Sequence, residues 1–77
     1  MNKHDPSGQI EVLTGYKLNE SVQYNTPTGE TLLGKVSGMR VGSGDRGFTV
    51  CILCTTADGV VFDVDLTHDA ALVHRVQ

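Results

Sequence analysis

The chain has 77 residues, with six Lys or Arg against nine Asp or Glu, a net charge of −3, two Cys and no Trp. That length holds a single domain burying only about 60% of its unfolded surface, which leaves stability marginal and makes self-association a common remedy. The charge balance lacks the clustered basic stripe of a typical nucleic-acid binder, and no apolar run approaches the roughly 18 residues needed to span a bilayer.

Residues 1–15 read as a flexible or partly ordered N-terminal segment. Up to about residue 9 it is polar, with Pro6 and Gly8, and reads as a frayed tail; Ile10-Glu-Val-Leu13 reads equally as a short edge strand or a turn of helix. It has no apolar stretch of the signal-peptide kind. From Tyr16 to Gln77 the pattern is that of a small barrel. Tyr16, Leu18, Val22 and Tyr24 form a spaced apolar set ending in a strand at 22–25, and Thr26-Pro-Thr-Gly29 is a turn. Leu32 to Val41 is the next strand, where Gly34 and Gly38 bracket Val36 on one face, as suits a strongly bent strand with a bulge or a close neighbouring backbone. Gly42-Ser-Gly-Asp-Arg-Gly47 reads as a flexible loop.

Phe48 to Thr56 is apolar on both faces, with Phe48, Val50 and Ile52 on one and Cys51 and Leu53 on the other. A barrel strand normally buries one face, so the second calls for cover from the N-terminal segment or another subunit. Asp58-Gly59 then signals a hairpin of type I′. Val60, Phe62, Val64 and Leu66 alternate inward while Asp63 and Asp65 face out, and a short turn leads to a last strand at 72–76. The expectation is an all-β, five-stranded small barrel.

This layout resembles the SH3-like barrel family. The resemblance rests on Tyr16-Lys-Leu-Asn-Glu-Ser-Val-Gln-Tyr24, on Thr28-Gly29 and Gly34-Lys-Val36, and on Asp65-Leu66 followed by Asp69-Ala-Ala-Leu-Val-His-Arg-Val76, which looks like the one-turn 3₁₀ segment before the final strand. It implies a fold, since such barrels host many unrelated functions, several on mobile elements such as gene cassettes. In layout the chain is loosely similar to the type II dihydrofolate reductases, tetrameric SH3-like barrels around a shared pore, whose ending is similar to Ala70-Ala-Leu72. The substrate-contacting Val-Gln-Ile-Tyr strand of that family falls near Val61-Phe-Asp-Val64, which does not match, and Asp63 would repel an anionic folate. No catalytic residue is carried over.

The remaining chemistry-bearing residues have plain readings. Cys51 and Cys54 lack a second ligand pair for zinc, and three apart on a strand they point to opposite faces about 10 Å apart, beyond disulfide reach. They read as free apolar fillers, which suits a reducing cytoplasm. Gly42-x-Gly44-x-x-Gly47 runs into a strand, whereas a dinucleotide fingerprint opens a helix. His68, Asp69 and His74 lack a nucleophile. Asp63 and Asp65 share a face about 7 Å apart and read as solvated, or as an acidic docking surface. The sequence therefore predicts a non-enzymatic interaction module that binds a protein partner and self-associates, with a surface formed by Leu53, Cys51, Asp63, Asp65, Arg46 and Asp45 and with no cofactor or metal. The alternatives are an oligomeric ligand binder or enzyme with a site shared between subunits, because a small barrel alone has little room for a pocket, and a nucleic-acid-binding barrel using Lys35, Arg40 and Arg46.

Overall fold

The structure is a computed structural model, described here over residues 6–45 and 47–76. Helix α1 (Pro6–Thr14) is followed by strands β1 (Ser21–Asn25), β2 (Thr31–Gly44), β3 (Gly47–Thr55) and β4 (Val61–Asp65), a 3₁₀ turn (Ala70–Leu72) and strand β5 (Val73–Arg75). All five strands join one antiparallel sheet in the order β4-β3-β2-β1-β5. This is the all-β, SH3-like small barrel with a 3₁₀ turn before the last strand that the sequence predicts.

Alternation along the strands builds the core. Val22 and Tyr24 of β1, Val36 of β2, Ile52 and Cys54 of β3, Val64 of β4 and Val73 of β5 are buried together, joined by Ile10 and Tyr16. Phe62 packs at the edge of this cluster and stacks on Tyr24, ring centroids 6.0 Å apart. Val60, expected to face inward, is 60% exposed because it belongs to the turn and precedes the paired residues of β4.

β2 is irregular where the sequence placed its glycines. A side chain on Gly34 would lie 2.9 Å from the Thr55 carbonyl oxygen and 3.0 Å from the Phe62 ring, so only Gly lets β2 cross this close. The ladder to β3 then slips, with Val36 opposite Cys54 and Gly38 opposite Leu53, which leaves Ser37 as the extra residue of a bulge. The slip reverses the phase of β2. Gly38 and Arg40 turn to the outer face and Met39 turns to the core, so Gly38 does not share a face with Val36 as expected.

The turns at 26–30 and 56–60 are built alike. In each, the Gly at the fourth position donates its N–H to the first residue's carbonyl at 3.0 Å, and the fifth residue donates to the Thr hydroxyl of the first (3.0 Å at Thr26, 3.1 Å at Thr56). Gly29 and Gly59 have φ of +95° and +87°, while Asp58 is not among the positive-φ residues. The second hairpin is thus a type I turn with a glycine bulge rather than type I′.

The N-terminal segment holds the main departure from expectation. Pro6–Thr14 is an α-helix, resolving the strand-or-helix ambiguity at Ile10–Leu13 and replacing the frayed tail over residues 6–9. Pro suits the first helical position, where its missing N–H costs nothing, and Gly15 closes the far end by donating to the Glu11 carbonyl at 2.8 Å. The helix packs on β2 and β3 through Ile10, while Val12 and Leu13 stay exposed. Arg75 ties the following linker to the barrel: it lies over the Tyr16 ring at 4.3 Å, donates to Glu20 Oε2 at 2.7 Å and also donates to the Gly15 carbonyl.

Candidate functional site: the outer face, the ribbon and the groove

The expected interaction residues meet in part. Register places Arg40 opposite Cys51 and Cys51 opposite Asp65, with Gly38, Leu53 and Asp63 in the neighbouring row, so all of these share the outer face. There they serve the chain itself. Arg40 on β2 forms an ion pair with Asp63 on β4, which crosses β3 diagonally above Cys51 and Leu53. Cys51 is only 7% exposed and Leu53 half-buried, with Leu53 Cδ1 lying 3.5 Å from where a Gly38 side chain would begin. The apolar second face of β3 thus finds its cover within the chain.

Asp65 is also engaged. Its Oδ1 accepts the backbone N–H groups of Thr67 (2.9 Å) and His68 (3.2 Å), and its Oδ2 lies 2.7 Å from His68 Nδ1. The His68 hydrogen bond first, then the two backbone donors, hold its carboxyl below the usual carboxylate range. Asp69 is not the partner of His68. Thr67 Oγ1 in turn accepts the Val50 N–H at 3.0 Å, so this turn anchors β3. The phenol of Tyr24 is pushed up by burial, helped by the field of Asp69, Asp63 and Asp65. Cys54 is fully buried, and burial pushes its thiol up to about 11. Both cysteines are free.

Beyond Arg40 the two central strands leave the body. β1 pairs with Thr31–Lys35 of β2, and β4 pairs with Cys51–Thr55 of β3, with Val50 held by Leu66 and Thr67, whereas Gly42–Gly44 and Gly47–Thr49 pair only with each other. Much of the loop expected at 42–47 is therefore a two-stranded ribbon. Alternation continues along it without a core beneath: Val41 is 42% and Phe48 64% exposed, and they share the face of Met39 and Ile52. Asp45 is exposed at the tip; Arg46 lies outside the described residues.

At the other end of the β2–β3 hairpin an open groove of about 500 Å³ crosses the outer face. Its lining mixes apolar Leu33, Ala57 and Val76 with polar Ser21, Lys35 and Thr55. Leu33 is 58% and Val76 43% exposed. The volume exceeds what was expected of a lone barrel, although no enclosed cavity is formed. Sequence reasoning missed both features, for which the only signal was exposed-face apolar residues at Leu33 and Phe48 beside single charges.

Among the described residues no cluster of three or more His, Cys, Asp or Glu is arranged to hold a metal ion, and no helix is long and apolar enough to cross a membrane. Comparison with protein-family models, with curated proteins and with solved structures finds no match to the chain.

Proposed function

We propose that the chain is a small, non-enzymatic SH3-like interaction module that binds a protein partner and self-associates in the cytoplasm. The observation that carries this reading is the ribbon. An isolated two-stranded hairpin is marginal in water, and one that bares a Phe and a Val along open strand edges is stabilised by what docks on it. Strand edges supply backbone hydrogen bonds, and the apolar face supplies an anchor, the two elements of strand-addition recognition. The two unlinked thiols suit a reducing compartment.

The test is the native mass by light scattering over a concentration series, for the wild type and for Phe48→Ser. The reading expects multiples of the 8.3 kDa chain that revert to the single chain in the variant, with its unfolding midpoint equal to that of the wild type at concentrations where the wild type is a single chain. A wild type that remains at 8.3 kDa at every concentration would overturn self-association.

A further inference from the structure

One edge of β2 stays open beyond the barrel body. Asn19 and Glu20 take both backbone groups of Val36, and among the described residues nothing pairs with that edge from Gly38 to Gly44. The neighbouring strand fixes the phase of its backbone. Val50 of β3 donates its N–H to Thr67 Oγ1 at 3.0 Å and accepts from the Leu66 N–H at 2.9 Å, so it points away from β2. Its ladder partner Val41 therefore points away from β3, and by alternation so do Met39 and Ser43. The N–H and C=O groups of these residues have no partner among the described residues, and neither a bulge nor a Pro blunts the edge between Gly38 and Gly44.

We propose that a second copy of this chain adds its own β2 to this edge, antiparallel and across a two-fold axis at Val41. The edge is self-complementary in that register. Val41 faces the partner's Val41 and Met39 faces the partner's Ser43, so each outward N–H meets a C=O and about six backbone hydrogen bonds form. The side chains fit the same register. On the outer face Arg40 comes opposite the partner's Gly42, a position with nothing within 4 Å of where a side chain would begin, and its charge is already met by Asp63 of its own chain. On the other face Val50 and Val41 of both copies fall in one row, flanked by Phe48, Ser43 and the partner's Met39, so the apolar face of the ribbon runs on from one copy into the next. The overlap stops at Gly38, short of the point where Asn19 and Glu20 occupy the edge, and the contact closes on itself as a two-fold interface requires.

This inference rests on the proposed self-association, and variants along the edge separate the two. In Val41→Pro the lost N–H lies on an open edge of the single chain, a setting that tolerates Pro, but at the centre of the joined sheet. Its dimer dissociation constant should rise about tenfold or more, measured by light scattering from concentrations where the wild type is a dimer. Disulfide trapping reads the register without relying on the Pro variant. Val41→Cys sets two Cα atoms about 5.5 Å apart, within disulfide reach, and should give a covalent dimer on mild oxidation. Ser43→Cys, on the same face but roughly 14 Å from its copy, should not. A Val41→Cys chain that is trapped no faster than Ser43→Cys, or a Val41→Pro chain that dimerises as tightly as the wild type, would overturn pairing through β2 while leaving self-association standing. A wild type that is a single chain at every concentration would overturn both.

Discussion

The barrel body and the ribbon are made from the same two strands, yet they meet water in opposite ways. In the body, Val36, Ile52 and Cys54 are fully buried; a few residues along the same strands and on the same face, Val41 and Phe48 stand 42% and 64% exposed. The difference lies in what packs beneath and beside them. The pairing of β1 with β2 and of β4 with β3 ends before the ribbon begins, and the periodicity that builds a core goes on to build a surface. Alternation therefore marks a face that wants cover without stating whether the chain itself provides it.

The largest expected effect tests whether the body is self-sufficient. Ile52→Ala removes a fully buried side chain and should cost about 2–5 kcal/mol in urea unfolding, whereas Phe48→Ser in the monomer should stay within about 0.5 kcal/mol. Similar losses at the two sites would show the ribbon to be part of the core. A glycine pair sharpens the comparison. Gly34→Ala drives a methyl into the Thr55 carbonyl and the Phe62 ring and should cost about 1–3 kcal/mol; Gly42→Ala meets nothing within 4 Å and should be neutral or stabilising by up to about 1 kcal/mol.

The outer face gives a smaller effect. Both side chains of the Arg40–Asp63 pair are well exposed, so Arg40→Ala should cost at most about 1 kcal/mol. It uncovers β3, and labelling of Cys51 by a thiol reagent should accelerate several-fold. Cys54, fully buried and with its thiol up to about 11, should react only on unfolding. The smallest effect is at Asp65, whose carboxyl is lowered in the fold by His68. Its contribution is present above the ordinary carboxylate value of about 3.9 and is lost as pH falls through the lowered folded value. Asp65→Asn should therefore lower stability slightly across the neutral range and flatten the acid limb of the stability profile below about pH 4.

Much of the barrel was legible because its strands carry period-two apolar residues between Pro, Gly and Asp turns. The helix was not, since over residues 9–14 a single buried residue, Ile10, makes no stripe while Val12 and Leu13 face water; Pro6 and Gly15 at its two ends were the signal available. The acidic surface read from Asp63 and Asp65 looked free because the bulge at Ser37 is invisible to simple alternation. Without that slip Arg40 would face the core, and with it Arg40 reaches Asp63 across β3. The groove joins residues from three strands, the turn at 56–57 and Val76 just after β5, a juxtaposition that simple alternation does not reveal.

Amide hydrogen exchange, followed residue by residue as protein concentration is raised, tests the division of body from ribbon most directly. The account predicts that amides of Val22, Val36, Ile52 and Val64 are protected at every concentration, and that those of Val41, Ser43 and Phe48 gain protection only as copies associate. Ribbon amides as slow as those of the body in dilute solution, or fast at every concentration, would contradict it.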